Sequence, residues 1–159
     1  MKYLMVLLAF FSFGATADEL ADKVLVEKSK NKMTLFKKGK EIAHYHVVFG
    51  GNPIGHKEQE GDQRTPEGKY VLDFKKPNSA YYKAIHISYP NAQDVARSKS
   101  KGKSAGGDIM IHGQKNGFEA LQAQTQKFNW TIGCIALTNE DMDSFWSKIK
   151  TPTNIEIRP

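Results

Sequence analysis

Hydrophobic and polar residues alternate with a period of two through much of the first half of the chain, as half-buried strands require. Val24-Leu25-Val26 opens one such run and Met33-Thr34-Leu35-Phe36 a second. Lys38-Gly39-Lys40 makes a tight connection into Glu41–Phe49. There His44, His46 and Val48 share one face and Tyr45, Val47 and Phe49 the other, so a hairpin is expected. Gly50, Gly51, Gly55 and Gly61, with Pro53, then break the alternation and predict a long irregular loop. Thr65-Pro66-Glu67-Gly68 puts Pro and Gly at the second and fourth positions of a type I turn. Lys69–Lys75 and Ala84–Ser88 read as further strands. Asp108–His112 is a compact strand with Ile109 and Ile111 on one face and Met110 and His112 on the other. Ile135-Ala136-Leu137 and Asn154–Arg158 complete the set.

Helical periodicity is rarer. Asn91–Ser100 suits a short helix, and Phe118–Phe128 has Phe118, Leu121 and Thr125 in register. Thr138 has the character of an N-cap, with Asp141 three residues on in the manner of a capping box. Met142, Phe145, Trp146 and Ile149 follow as an amphipathic stripe through to Lys150. There is no internal repeat and no segment resembling a linker. The pattern predicts one mainly β (α+β) domain with two or three short helices.

The first seventeen residues stand apart. Lys2, an apolar run from Tyr3 to Phe13, and Ala15-Thr16-Ala17 have the order of a secretory signal peptide with a small-x-small cleavage site. Residues 1–17 are therefore expected to be removed, leaving residues 18–159 as the domain. Asp18 and Glu19 follow too soon for a membrane span of about 20 apolar residues, so no stable membrane anchor is expected. A periplasmic location follows.

Composition narrows the function classes. With 40% hydrophobic and 25% charged residues among 159, the chain is neither disordered nor collagen-like nor a polytopic membrane protein. Its 23 basic and 17 acidic residues give a net charge of +6. Such an excess favours a polyanionic neighbour. For an exported protein the bacterial wall is a better candidate than nucleic acid, which is not expected as a partner. A single cysteine, Cys134, excludes an intramolecular disulfide and a cysteine-based zinc cluster.

Five histidines offer chemistry. His44 and His46 project from one strand face but lack a third ligand at a familiar spacing, so no metal is expected. His86, within Ile85-His86-Ile87, suits a hydrogen-bonded sheet position, and His56 lies in the glycine-rich loop. His112 ends a short apolar strand and is followed by Gly113, 22 positions before Cys134 in Trp130-Thr131-Ile132-Gly133-Cys134-Ile135. An imidazole is the usual base for a thiol nucleophile. Glycine before the nucleophile suggests that the Gly133 and Cys134 N–H groups form an oxyanion hole.

Ile111-His112-Gly113 followed by Thr131-x-Gly133-Cys134 resembles the His-Gly…Ser/Thr-x-Gly-Cys signature of the L,D-transpeptidase catalytic domain, the YkuD-type family. Gly61-Asp62-x-x-Thr65-Pro66-Glu67-Gly68-x-Tyr70 and Gly106-Gly107-Asp108-Ile109-Met110 extend the likeness, which runs from about residue 22 to residue 158. The resemblance implies a β-sandwich-like domain acting on peptidoglycan stem peptides. Cys134 would be the nucleophile, forming a thioester at diaminopimelate followed by D-Ala. His112 would serve as base and then acid, with the Gly113 carbonyl orienting it; Thr131, Gly133 and Cys134 would line the oxyanion and substrate site. No cofactor is implied.

Two departures from the Ser-His-Gly-Cys-x-Arg text stand out, Ile132 in place of the second histidine and Ala136 in place of the arginine. The text W-T-x-G-C-I-A-x-T-N resembles a compact exported sub-branch, some members of which hydrolyse the link between murein and an attached lipoprotein. Transpeptidation, hydrolysis, and non-catalytic wall binding are therefore the competing expectations, with a murein-linked lipoprotein as a further partner. The long interval before Cys134 suggests that Lys115–Phe128 forms a lid or wall beside the thiol.

Overall fold

The computed structural model describes residues 19–159; the expected signal peptide at residues 1–17 lies outside them. Eight strands form one sheet: β1 (Lys23–Glu27), β2 (Lys32–Lys37), β3 (Lys40–His46), β4 (Gly68–Ser79), β5 (Tyr82–Ile87), β6 (Met110–His112), β7 (Ile135–Ala136) and β8 (Thr153–Arg158). Their order is β3-β2-β1-β8-β4-β5-β6-β7. The first and last strands in sequence, β1 and β8, pair in parallel at the centre, with Val24 opposite Ile155 and Val26 opposite Ile157. All four are buried, so the termini of the domain are fixed by burial of a β-branched seam. Beyond β3 the chain continues to isolated bridges between Val48 and Ala136 and between Gly50 and Thr131. These link the two sheet edges, so the sheet curls around its core in the sandwich-like manner expected.

Three α-helices accompany the sheet: α1 (Ala92–Ser100), α2 (Gln122–Thr125) and α3 (Asn139–Lys148). Asn91 caps α1 in a full capping box with Asp94. Thr138 caps α3 by accepting from the Asp141 N–H, and Met142, Phe145 and Ile149 enter the core as their spacing predicts. The helix stops at Lys148, two residues before the expected end.

Two local expectations fail. Thr65–Gly68 is not a type I turn: Gly68, with φ of 137°, already opens β4 opposite Ile157. Thr65 is instead a buried tie, its hydroxyl accepting from the Gly50 N–H at 3.2 Å. The expected helix over Phe118–Phe128 is only a 3-10 turn, Glu119–Leu121, and the single turn of α2. Its apolar residues face outward, and polar bonds hold it. Thr125 Oγ1 donates to Gln114 Oε1 at 2.6 Å, and Gln122 Oε1 accepts from the Asn139 N–H at 3.2 Å.

Candidate active site

Strand pairing brings the histidine and the cysteine together. Ile111 and His112 of β6 lie beside Ile135 and Ala136 of β7 in parallel register. One pleat earlier on the same face, Cys134 comes alongside Met110, whose N–H points to Sγ at 3.4 Å. Ile109 and Ile111 are buried on the other face as expected, in the hydrophobic core. His112 and Cys134 both line a cavity of about 430 Å³, with Lys76 on β4, Ser79, Ala80 and Tyr81 at the β4–β5 hairpin tip, and Trp130 to Ile132 also on its wall.

The imidazole is fixed on several sides. His112 Nδ1 lies 2.7 Å from Gly113 O. A carbonyl only accepts, so Nδ1 carries the proton and Nε2 is the basic atom of the neutral ring. Tyr81 covers the ring at 4.6 Å between centroids and Trp130 meets it edge-on at 5.8 Å. Only 4% of the residue is exposed. That burial lowers its pKa to about 4, outweighing the bond to Gly113, which acts the other way. Gly113 is required sterically, because a Cβ there would lie 2.6 Å from Asn139 Oδ1 and 3.0 Å from Tyr82 Cβ. The tip itself is held by Tyr82, at φ 64°, whose N–H donates to Asn116 Oδ1 at 2.8 Å.

The thiol is half-buried and neutral. Burial pushes its pKa up, more than the Met110 N–H and the Lys57 ammonium pull it down. Sγ makes a long contact of 3.7 Å to Asp108 O; among the described residues no hydrogen bond joins it to His112. Proton transfer therefore requires Sγ–H to turn from Asp108 O towards the ring.

Thr131 organises the turn before the cysteine. Its hydroxyl donates to Cys134 O at 2.7 Å and accepts from the Gly133 N–H at 3.1 Å. This corrects the expectation that the Gly133 N–H is free for an oxyanion, since the threonine already engages it. Among the described residues nothing accepts from the Cys134 N–H, which leaves that donor open. Gly133 has φ of 139°, and a Cβ there would lie 2.9 Å from Arg64 O. Only glycine suits the position.

Other sequence candidates fall elsewhere. His44 pairs with Glu41 at 2.7 Å and His46 Nε2 meets Gln126 O at 2.9 Å, both exposed on β3. His86 pairs with Asp73 at 2.7 Å and stacks on Phe74, as a sheet-face residue. His56 joins Glu67 and Asp94 under the glycine-rich loop. No group of three or more metal-ligating side chains occurs among the described residues.

Lys115–Phe128 does not wall the cavity; the hairpin tip takes that role. The sequence does little to mark Tyr81 and Lys76 as site residues. Two adjacent tyrosines in a polar tip are the only sequence signal for the first, and none marks the second. Of the two departures from the motif, Ile132 is 76% exposed at the cavity lip, whereas Ala136 is fully buried against Val48. No helix among the described residues is long and apolar enough to cross a membrane.

Comparison with known proteins bears on the family and the fold. A profile of the L,D-transpeptidase catalytic domain, YkuD, matches residues 21–157. The chain is 34% identical over 104 residues to YafK of Escherichia coli (strain K12), provisionally named as an L,D-transpeptidase; the match covers 64% of this chain and 35% of YafK. The helical cell shape determining protein Pgp2 from Campylobacter jejuni superposes with a TM-score of 0.67 at 28% identity, over 89% of this chain and 48% of Pgp2. An L,D-transpeptidase from Xylanimonas cellulosilytica shares the fold at a TM-score of 0.57 and 12% identity, over 88% of this chain and 61% of that one. The chain thus spans about a third of the curated relative and about half of Pgp2. From the profile match and the fold together, the chain belongs to the L,D-transpeptidase catalytic domain family.

Proposed function

We propose that this protein is a periplasmic L,D-transpeptidase that works through a Cys134 thioester on peptidoglycan stem peptides. The observation that carries the reading is a sulfur and a buried, carbonyl-anchored imidazole lining one open cavity. Neutral Nε2 of His112 takes the thiol proton as Sγ attacks the carbonyl on the L-centre of diaminopimelate. The tetrahedral oxyanion accepts from the Cys134 N–H, and Thr131 keeps that peptide in place. Collapse breaks the bond to D-Ala, whose amine takes the proton from His112, and leaves the thioester. An amine from a second stem then attacks the thioester, passes its proton to His112, and restores the thiol.

Both acid–base partners start uncharged, which matches a proton moved in step with bond formation rather than a resting thiolate–imidazolium pair. Export by the N-terminal segment places the enzyme beside its polymer, and the basic surface suits a polyanionic wall.

The test is to incubate the purified protein with tetrapeptide muropeptides, with and without attached lipoprotein, and to sort products by mass. Cross-linked dimers that disappear in Cys134→Ala are expected. Trimmed stems or detached lipoprotein without dimers would replace transfer with hydrolysis. No Cys134-dependent product would overturn the enzymatic reading.

A further inference from the structure

Two opposite charges on the cavity wall have no ion-pair partner among the described residues. Lys76 and Asp108 both line the cavity that holds Cys134 and His112. Both side chains are exposed to it, and among the described residues neither ammonium nor carboxylate forms an ion pair.

The sheet places Lys76 with some precision. Lys76 lies opposite Ala84, Ala84 opposite His112, and so all three project to one face in a single row across β4, β5 and β6. Two strand spacings, about 10 Å, separate the Lys76 and His112 backbones. The intervening residue is alanine, so the long lysine stem has clear passage over it. Asp108 comes from the other direction. It lies four residues before His112, and its own carbonyl meets Sγ at 3.7 Å. It holds a positive φ of 53° just after Gly106 and Gly107. Lys76 and Asp108 thus border the same cavity as the thiol, one from β4 across the sheet and the other from the segment leading into β6.

We infer that Lys76 and Asp108 form a subsite for a zwitterionic amino-acid group, the ammonium-and-carboxylate terminus at the D-centre of the diaminopimelate side chain. This rests on the stem-peptide reading above and names the part of the donor that is recognised. The leaving D-Ala presents a carboxylate but no free ammonium, because its nitrogen is in the scissile bond. A lysine-type stem presents an ammonium but no carboxylate. Only the diaminopimelate terminus offers both charges on one carbon, matching Asp108 and Lys76 together.

The test measures binding to full-length Cys134→Ala protein, so it does not depend on turnover. Titration calorimetry compares a tetrapeptide stem containing diaminopimelate with three analogues: one with the D-centre carboxylate amidated, one with the D-centre amine acetylated, and one ending in D-alaninamide. Lys76→Met and Asp108→Asn, both exposed changes, are added singly to the Cys134→Ala background. Each is expected to weaken the unmodified stem at least about tenfold, as removal of a charged hydrogen-bond partner does. Lys76→Met should cause no further loss with the amidated D-centre, and Asp108→Asn none with the acetylated amine. Equal losses on every peptide, or no loss at all, would overturn the assignment. So would a Lys76 effect abolished only by D-alaninamide, which would give the lysine to the leaving residue. Absence of Cys134-dependent products alongside this selectivity would sink the proposed reaction and leave the subsite standing.

Discussion

Acidification should destabilise this protein through His112 in particular. The folded state holds its imidazole at a pKa of about 4, against an ordinary value of 6.5, because the ring is buried beneath Tyr81 and Trp130. The unfolded chain takes up a proton as pH falls through 6.5 and the folded chain does not until about 4. Stability attributable to the neutral ring is therefore complete above pH 6.5 and is lost progressively down to about 4. At about 1.4 kcal/mol per pKa unit, the loss over that window is about 3 kcal/mol. Urea unfolding of wild type and His112→Gln, followed at a series of pH values, isolates this contribution. A glutamine amide can still donate to Gly113 O but does not titrate. Wild type should lose about 3 kcal/mol more than the variant between the two ends of the window. Parallel stability curves would refute the claim that burial holds the imidazole neutral.

Gly113→Ala should unfold more easily by about 1–3 kcal/mol, because its methyl meets Asn139 Oδ1 and Tyr82 Cβ in a close-packed site. The same change should slow acylation of Cys134 by disturbing the carbonyl that anchors His112; thermal melting and single-turnover mass spectrometry check the two effects. Thr131→Val removes the acceptor of the Gly133 N–H and the donor to Cys134 O. It should cost about 1–3 kcal/mol for the polar groups left unpaired and slow acylation about tenfold. Thr131→Ser should recover most of both; if Val behaves like wild type, the turn does not depend on the hydroxyl.

How much of this was legible in the sequence depends on the range of each interaction. The hairpin of β2 and β3 announces itself because Tyr45 and Val47 are buried while His44 and His46 are exposed, a property of one strand alone. The start of α3 is similarly local, since Thr138 and its partner Asp141 are three residues apart. The His112–Cys134 pair was legible from its motif, and the pairing of β6 with β7 supplies the physical connection.

What the sequence could not convey is set by strand order. Lys76 reaches the site only because β4, β5 and β6 are neighbours, and Tyr81 covers His112 only because the β4–β5 tip overhangs it. Neither relation leaves a periodic trace. Phe118, Leu121 and Phe128 misled because an apolar register normally marks a buried face, whereas here about half of each side chain is exposed. The segment is secured by Gln114, Gln122 and Thr125, whose bonds have no hydrophobic signature. The Thr65–Gly68 stretch misled for a different reason. Its Pro and Gly spacing also fits extended backbone entering a strand, and the buried Thr65 hydroxyl selects that alternative.

The central claim is that the Cys134 sulfur attacks an acyl carbon with His112 as its base. Intact mass of the full-length protein after exposure to a carbapenem, whose ring-opened form stays on an acylated thiol, tests it most directly. Wild type should gain one drug mass, mapped by peptide sequencing to Cys134; His112→Gln should gain it far more slowly, and Cys134→Ala should stay unmodified. A wild-type protein whose mass does not change, or an adduct that forms as fast without the imidazole, would contradict the account.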